Sequence, residues 1–439
     1  MTRLLETPTG WPRLLLGPTP APAGLEAAVA AGAFAGLRRA IEILGPGETI
    51  AVIERSGLRG RGGAGGLAGR KWRVCAATEA PRRYVVANGY GADPAVFTDA
   101  VLMERNPWAV IEGLAIAAVA VGASEAIVAV RSTSGDAIRG LESAVAQARA
   151  AGYLGPDVLG SGVEIEMTIR PVQGGYVLGE ETVLLKALEG RRAQPEQRPP
   201  HPAERGLFGL PTVVHNVATL ASVPWIVTNG AEAFSAIGSP SAPGTLLVQI
   251  RGISDEGIAE VPSGTPLRAI ADLVGGVPAG HRLKAILVGG PSGGLLPPEA
   301  LDTPYEFESL RVAGAHVGSG SIVLADERTC TVDLARLLTR FCADEACGKT
   351  IPCRIGTRRL AEIGERLSSG LPRPTDRQLM IDLSDDIVAS ALCDHERLTT
   401  LPLASAARYF GAELDQHISA SSCPAGVCHP IPVAGAGAH

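Results

Sequence analysis

Strand-like and helix-like segments alternate between residues 82 and 172, and this alternation constrains the fold more than any other feature of the chain. Short apolar runs typical of buried strands occur at 82–88, 125–131 and 163–172. The segments between them, 107–123 and 135–154, have the longer apolar pattern of helices. Strands that alternate with helices predict an α/β layer with a largely parallel sheet, which we expect to extend to about residue 230.

The rest of the chain shows a different organisation. The stretch 236–247 is rich in Gly, Pro and Ser and predicts a linker. Short strand patterns with helix patterns among them follow, which predict a small α+β domain, and helical patterns dominate from residue 328. We therefore predict the following division of the chain: N-terminal helices with the α/β domain at 1–236, the small α+β domain at 243–326, a helical bundle at 328–420, and a cysteine-containing tail at 421–439.

Charge, hydropathy and cysteine content exclude several classes of protein. A net charge of −6 and a pI near 5.8 argue against general affinity for nucleic acid or an anionic membrane. No apolar run approaches the roughly 18 residues of a membrane span, and the N-terminus lacks the pattern of a signal peptide, so we predict a cytoplasmic protein. In a reducing compartment the eight cysteines are expected to be thiols, metal ligands or redox groups.

Residues 56–72, SGLRGRGGAGGLAGRKW, combine seven glycines with four basic side chains. Gly60, Gly62 and Gly65 satisfy the pattern G-x-G-x-x-G, in which backbone N–H groups approach a phosphate at a helix N-terminus. The preceding residues 48–57 fit a helix about as well as a strand, so an ordinary Rossmann site is not indicated. The basic side chains favour a phosphate-bearing ligand over a plain surface turn.

This stretch and three others, in the same order, resemble signatures of the NADH-binding flavoprotein subunit of respiratory NADH dehydrogenase, which also occurs in NAD-linked hydrogenases and formate dehydrogenases. The three others are GGYVLGEETVLLKALEGRR (174–192), RPPHPAERGLFGLPTVVHNVATLASVP (198–224) and DEACGKTIPCRIGTRRL (344–360). LVGGPSGG and VGSGSIVLAD make the middle domain similar to the β-grasp-like module of that family. The resemblance extends from about residue 25 to about residue 420.

The resemblance implies an α/β flavin-binding domain, followed by a small α+β β-grasp-like domain and a C-terminal helical bundle. It implies FMN enclosed by the glycine loop and the Gly-Glu-Glu turn, with NADH stacked on the flavin ring. Asp93 and Glu181 would orient the nicotinamide, Lys71 would contact the phosphate, and Tyr176 would form a flat wall. The flavin-site positions carried over are Gly60, Arg61, Gly62, Lys71, Asn88, Tyr176, Gly179, Glu180, Glu181, Asn216 and Thr219.

Departures from the family pattern cluster on the nicotinamide side. Aromatic residues that sandwich the adenine in the family are replaced here by Gly66, Val74 and His201. Each lost stacking contact is worth about 0.5 to 1.5 kcal/mol beyond burial. The family's acidic stretch appears as NGYGADPA (88–95), in which Asp93 keeps one charge on a shorter side chain. Nearby arginines leave NADPH open as the nucleotide, although the carboxylate of Glu181 would repel its additional phosphate.

The iron–sulfur signature also departs from the family. Cys347, Cys353 and Cys393 match three cysteine ligands of a tetranuclear cluster, but Thr350 stands where the family has the other one. Such clusters usually require four thiolates. A 4Fe–4S cluster whose open iron binds the Thr350 oxygen, water or another residue, a 3Fe–4S cluster, and an empty site with buried thiols all remain open.

A second cysteine motif, HISASSCPAGVCH, ends the helical region. His417, Cys423 and Cys428 have the mixed nitrogen and sulfur spacing of a zinc site, although an exposed cysteine turn would give the same pattern. The fourth ligand is open among His429, Cys342, Cys330 and a residue of a partner protein. Cys75, outside both motifs, is expected in the core.

The leading hypothesis is an electron-transfer flavoprotein subunit that oxidises NADH or NADPH through FMN and passes electrons through an iron–sulfur centre to a partner. The resemblance implies a thioredoxin-like 2Fe–2S partner and a larger catalytic subunit. One alternative is a non-catalytic assembly subunit that has lost dinucleotide binding. Another is an FMN relay for a donor other than nicotinamide.

Overall fold

The structure is a computed structural model and describes residues 3–17 and 21–428. The chain divides into two compact units. The first contains the chain up to Gln249 together with Gly257–Pro266 and Pro304–Glu308. The second contains Ile250–Glu256, Leu267–Thr303 and the chain from Ser309 onward. Across the described ranges, no helix has both the length and the apolar character that crossing a membrane would require.

Helices and strands alternate through the first part of the chain, as the periodicity predicts. The elements up to Pro262 are α1 (Leu25–Ala30), α2 (Ala35–Arg39), α3 (Gly45–Arg55), α4 (Ala68–Ala77), β1 (Tyr84–Gly89), α5 (Thr98–Arg105), α6 (Pro107–Val121), β2 (Glu125–Arg131), α7 (Gly135–Ala150), β3 (Glu166–Val172), α8 (Glu181–Leu188), β4 (Thr212–Asn216), α9 (Val217–Asn229), α10 (Ala231–Ser235), β5 (Gly238–Ser239), β6 (Ala242–Pro243), β7 (Thr245–Arg251) and β8 (Glu256–Pro262). Residues 48–55, which fit helix and strand equally in the sequence, belong to helix α3.

Four parallel strands form the sheet of the first unit, in the order β3-β2-β1-β4. Central strand β1 is almost wholly buried, which agrees with its run of Tyr, Val and Ala rather than an alternating pattern. The chain proceeds outward from β1 to β3 and then returns to place β4 on the other side of β1. The strand order therefore reverses between β1 and β4, and open α/β sheets bind ligands outside the carboxyl ends of the strands at such a point.

Helix α6 forms the centre of the core beside this sheet. It starts with the side chain of Asn106 as its cap and Pro107 in its first turn, and it ends at Gly122 in a left-handed conformation. Its residues are apolar on all sides, as expected of a wholly buried helix. A Cβ added at Gly113 would lie 2.0 Å from the carbonyl oxygen of Leu220 in α9, so glycine is what allows the two helices to approach so closely.

The segment expected to be a linker, 236–247, is instead ordered structure. Strands β5 and β6 form a short antiparallel hairpin within it, and the Gly244 N–H donates to the carbonyl of Ile237 at 2.7 Å. Gly244 has a φ of +89° and leaves room for the ring of Phe234, so its lack of a side chain serves packing. The domain limits at 236 and 243 stay a prediction.

The later part of the chain adds short strands and then helices. The elements from Leu267 onward are α11 (Leu267–Asp272), β9 (Leu283–Val288), β10 (Gly294–Leu296), α12 (Phe307–Ala313), β11 (Ser321–Asp326), α13 (Thr331–Asp344), α14 (Thr357–Ser368), α15 (Asp376–Ser390), α16 (Asp394–Leu398), α17 (Leu401–Tyr409) and α18 (Gly411–Ala420). Strand β9 pairs antiparallel with both β10 and β11. The helical region predicted from residue 328 is confirmed, and residues such as Leu360, Met380 and Leu403 form its apolar core.

Candidate functional site

The glycine-rich stretch folds into a closed loop that leads directly into helix α4. The Gly60 N–H donates to the carbonyl of Gly66 at 2.8 Å, and the Ala68 N–H donates to the carbonyl of Leu58 at 2.9 Å. Gly65 has a φ of +66°, and a Cβ at that position would lie 2.7 Å from the ring of Phe307. Both the backbone conformation and the packing therefore require glycine there.

Arg61 is the buried cation of this loop. Its N–H donates to the hydroxyl of Thr219 at 2.8 Å, which ties the loop to the first turn of α9. The side chain is 8% exposed and donates through Nη2 to the carbonyl of Pro243. Its Nε and Nη1 have no hydrogen-bond partner among the described residues. Burial, and after it the charge of Arg59, lowers the pKa of Arg61 to about 10, so the side chain stays charged at neutral pH.

A buried guanidinium with two unused donors is rare, because burying a polar group without a partner costs free energy. Arg59 provides the contrast within the same loop. Its Nε donates to the carbonyl of Gly65 at 2.6 Å, its Nη1 pairs with Glu308 at 2.6 Å, and its guanidinium lies over the ring of Phe307. Arg59 therefore holds the loop together, whereas Arg61 offers donors to an anion.

The carboxyl ends of β1 and β4 bring two amide side chains together at the point where the strand order reverses. Asn88 and Asn216 are partners in the parallel register of these strands. Asn88 donates to the carbonyl of Gly179 at 3.0 Å, and Asn216 caps α9 by accepting from the Ala218 N–H at 2.8 Å. A Cβ added at Gly62 would lie 3.3 Å from the Cβ of Asn216. The glycine loop, both strand ends and the Gly-Glu-Glu turn thus meet here.

Asp99 is a residue of this site that the sequence reasoning missed. The amide of Asn216 donates to its carboxylate at 2.8 Å. Burial raises the pKa of Asp99 to about 6, against the opposing effect of the hydrogen bond from Asn216. The available signal was its position six residues after Asp93, in the first turn of helix α5.

The two glutamates of the Gly-Glu-Glu turn are both engaged by cations. Glu180 caps helix α8 by accepting from the N–H groups of Thr182 and Val183, and it also pairs with Arg198. Glu181 pairs with Lys71 at 2.5 Å and with Arg198 at 3.4 Å. The predicted phosphate contact, Lys71, and the predicted nicotinamide contact, Glu181, are therefore bonded to each other, and a ligand of either must exchange with this ion pair.

Asp93 and Tyr176, two further predicted site residues, lie near the Gly-Glu-Glu turn. Asp93 is 4% exposed and accepts from the Ala95 N–H at 2.9 Å. A Cβ added at Gly179 would lie 2.8 Å from the Cβ of Ala92, so the residue before Asp93 packs against the Gly-Glu-Glu turn. Tyr176 begins the helical turn Tyr176–Gly179 and is half-buried.

The predicted iron–sulfur residues converge in the second unit. Cys353 lies in the π-helical turn Pro352–Gly356 and is buried. Burial and, after it, the charges of Glu396, Cys393 and Cys347 raise the pKa of the Cys353 thiol to about 12, against the opposing effect of a hydrogen bond with Thr350. The Thr350 hydroxyl and the Leu392 N–H both donate to the carboxylate of Glu396 at 2.8 Å, so position 350 lies beside the chain around Cys393. Glu396 is an additional residue that the sequence reasoning missed.

Four metal-ligand side chains form a second cluster. The sulfur atoms of Cys330, Cys423 and Cys428 and one imidazole nitrogen of His417 all lie within 4.8 Å of one another. The sulfur of Cys330 is 3.5 Å from Nε2 of His417 and 3.6 Å from the sulfur of Cys428. Of the candidates left open for the fourth position, Cys330 is the one present in this cluster. Cys342 instead contacts the carbonyl of Pro291, and His429 lies outside the described residues.

The surroundings of this tetrad suit a metal. Nδ1 of His417 lies 2.8 Å from the carbonyl of Glu413, which fixes the ring and turns Nε2 toward the sulfur atoms. Burial by itself would raise the pKa of Cys423, but hydrogen bonds from the Cys428 and Val427 N–H groups and from the neighbouring thiols lower it to about 6. Three thiols and one imidazole at this spacing are the donor set of a structural zinc site.

Comparisons with known proteins match the regions of the chain that contain the glycine loop and the iron–sulfur cysteines. The family model for the Nuo51 FMN-binding domain matches residues 53–225, and the model for the NADH-ubiquinone oxidoreductase-F iron-sulfur binding region matches residues 333–417. The NADP-reducing hydrogenase subunit HndC of Solidesulfovibrio fructosivorans is 38% identical over 93% of this chain and 83% of its own. An NADH-quinone oxidoreductase subunit of Mycobacterium bovis is 41% identical, covering 86% of each chain.

Among solved structures, an NAD⁺-reducing [NiFe]-hydrogenase in the H₂-reduced state is similar to this chain with a TM-score of 0.78 and 32% identity. The similarity covers 85% of this chain. The chain spans 63% of the length of that hydrogenase chain. The two chains therefore share the mixed α/β fold with its parallel sheet.

Proposed function

The chain belongs to the family of NADH-binding flavoprotein subunits found in NADH-quinone oxidoreductases, and from this premise we propose that it is an electron-transfer subunit. It binds FMN, oxidises NADH or NADPH, and passes electrons through an iron–sulfur centre to a partner protein. The observation that carries the proposal is the buried guanidinium of Arg61, with two unused donors, in a glycine loop at the strand-order reversal. That arrangement fits the phosphate of a flavin mononucleotide.

The residues present fit FMN in charge and in hydrogen-bonding capacity. Arg61 and the backbone N–H groups of the glycine loop would hold the phosphate. Asn88 and Asn216 would present amide groups at the ends of β1 and β4, and Tyr176 would cover one side. When bound, FMN supplies the redox chemistry, because it accepts two electrons together and can release them singly. The protein contributes binding, orientation and the exclusion of water.

The nicotinamide nucleotide would bind beside the Gly-Glu-Glu turn, with Asp93 and Glu181 orienting it. Lys71 and Arg198 already balance the charge of Glu181, which weakens its repulsion of an additional phosphate. The structure therefore supports NADPH as a second candidate nucleotide beside NADH. The lost adenine-stacking rings would weaken either nucleotide by about tenfold or more.

The first test is an anaerobic titration of the purified protein with NADH and, separately, NADPH, followed by the visible absorbance of the flavin. Bleaching at stoichiometric nucleotide is the expected result and identifies the donor. A Glu181→Gln variant should require more nucleotide for the same fractional bleaching of its own bound flavin. Bound flavin that ignores both nucleotides would favour a relay for another donor, and protein without flavin would favour the assembly role.

The Cys330, His417, Cys423 and Cys428 tetrad is the second part of the proposal, as a structural zinc site. Its ligands come from the start of α13, from α18 and from the segment after α18, so a bound ion would fix that segment on the helices. Protein purified without added metal should contain about one zinc per chain by mass spectrometry. Cys423→Ser should lose it and unfold at a lower temperature, whereas Cys75→Ser, in the core of the first unit, should retain it.

Partners, location and domain layout complete the proposal. The two relatives named above are subunits of larger enzymes, which supports partner subunits for this chain as well. The partners that we propose, a thioredoxin-like 2Fe–2S protein and a larger catalytic subunit, rest on the sequence resemblance. A cytoplasmic location fits the absence of a disulfide among the described cysteines. The layout of an FMN-binding domain, a β-grasp-like domain and a helical iron–sulfur domain fits the order of the two matched family regions.

A further inference from the structure

The iron–sulfur site has three thiols and a threonine, and a buried carboxylate lies beside the threonine. We propose that the carboxylate of Glu396 is the fourth protein ligand of the cluster, in place of the missing thiolate at position 350. This assignment rests on the iron–sulfur centre of the proposed function and concerns a residue that no family pattern assigned.

Glu396 lies within the ligand set. It follows Cys393 by three residues, in the short helix Asp394–Leu398 that begins directly after that cysteine. Its side chain is only 1% exposed. The carboxylate is therefore shielded from solvent, in the first helical turn after a predicted cysteine ligand.

The contacts of Glu396 join position 350 to the chain around Cys393. Its Oε1 accepts from the hydroxyl of Thr350 at 2.8 Å, and its Oε2 accepts from the Leu392 N–H at 2.8 Å. No Lys, Arg or His side chain pairs with Glu396 in residues 3–17 and 21–428. Fully buried glutamates are rare unless a cation or a metal compensates their charge. A nearby iron ion would supply that compensation.

The chemistry favours Glu396 over Thr350 as the ligand. An alcohol must lose a proton with a very high pKa to bind iron as an anion, and the Thr350 hydroxyl already donates that proton to Glu396. A carboxylate keeps the single negative charge of the thiolate that it replaces. Thr350 is then a positioning residue that orients the carboxylate. Because oxygen is a harder ligand than sulfur, we expect one iron to be bound less tightly than the other three.

The test uses full-length protein in which iron and sulfide have been reconstituted anaerobically. We expect wild-type protein to contain about four irons and four sulfides per chain and to be diamagnetic as prepared. Glu396→Gln keeps the size and one hydrogen-bonding oxygen but removes the anionic ligand. After mild oxidation with ferricyanide, applied in the same way to every variant, it should retain about three irons and show the paramagnetic resonance signal of an oxidised trinuclear cluster. Thr350→Cys in the Glu396→Gln background should restore the fourth iron and remove the signal.

A neighbouring carboxylate provides the matched control. Asp394 lies two residues away in the same helix, but its side chain is 55% exposed and pairs with Arg397 at 3.3 Å. Asp394→Asn should leave the iron content and the spectrum unchanged. Flavin content, measured on the same samples, should be equal in all variants, which shows that the protein is folded.

Several outcomes would overturn the assignment. If the Glu396→Gln protein retains the fourth iron and stays diamagnetic, Glu396 is not a ligand. If the wild-type protein holds only a trinuclear cluster, there is no fourth iron for Glu396 to bind. Loss of all iron in Glu396→Gln without rescue by Thr350→Cys would assign Glu396 a purely structural role. Wild-type protein that takes up no iron but still binds flavin would refute the iron–sulfur centre itself and leave the flavin site standing.

Discussion

Replacing Arg61 by Met should weaken FMN binding and, at the same time, leave the flavin-free protein at least as stable. Two donors of the Arg61 guanidinium, Nε and Nη1, are buried without a partner in the described chain. A hydrogen bond from a charged donor contributes about 1.5 to 3 kcal/mol. Loss of one such bond to the phosphate therefore corresponds to about a tenfold to hundredfold higher Kd for FMN.

The effect on stability should have the opposite sign. Each buried donor without a partner costs about 1 to 3 kcal/mol, and methionine removes both of them. The variant also loses the hydrogen bond from Nη2 to the carbonyl of Pro243, and this loss offsets about 1 kcal/mol of the stabilisation. The net free energy of unfolding of the flavin-free protein should therefore stay equal or rise by roughly 1 kcal/mol or more.

The assay combines two measurements on deflavinated protein. Quenching of FMN fluorescence gives the Kd at fixed ionic strength, and urea unfolding gives the free energy of unfolding. Arg59→Met is the matched control in the same loop, because its guanidinium bonds Gly65 and Glu308. That variant should lose stability. If Arg61→Met instead loses stability to a similar degree, or changes the Kd for FMN less than twofold, Arg61 is a structural residue and the reasoning is wrong.

Two further predictions concern stability. Burial raises the pKa of Glu112 from 4.5 to about 7, even though the N–H groups of Phe34, Leu37 and Gly36 favour its charged form. Because the folded pKa is the higher one, the stabilising contribution of Glu112 is fully present below pH 4.5 and is lost as pH rises through about 7. In urea unfolding, the free energy of unfolding of Glu112→Gln relative to that of the wild type should therefore rise by on the order of 3 kcal/mol over that pH range. A difference between the two proteins that does not change with pH would contradict this prediction. Gly113→Ala should lower the free energy of unfolding by about 3 kcal/mol or more, because its Cβ would overlap the backbone of α9. Gly140→Ala, in α7 with open space around it, should raise it by about 0.5 to 1 kcal/mol, and thermal unfolding of the pair would refute the packing argument if both variants lost stability equally.

The sequence predicts much of the first unit because its signals are local. The apolar runs at 82–88 and 125–131 became β1 and β2, and the helices between the strands follow the apolar periodicity. The Gly, Pro and Ser content of 236–247 indicated a linker, but tertiary packing made it a hairpin, since Gly244 leaves room for Phe234. The composition of a segment indicates how flexible its backbone can be, but it does not indicate which distant side chain will pack against its glycines.

By itself, the sequence determined the α/β class and the family, and it predicted the segments that carry each site, because strand and helix periods and motif spacings are properties of neighbouring residues. Only the tertiary structure decided which of several cysteines joins His417, since Cys330 is 98 residues from Cys428 along the chain. The same is true of Glu396 beside Thr350, of Asp99 beside Asn216, and of the unused donors of Arg61. Each of these depends on distances between segments that are far apart in sequence, and on burial, which no local pattern encodes.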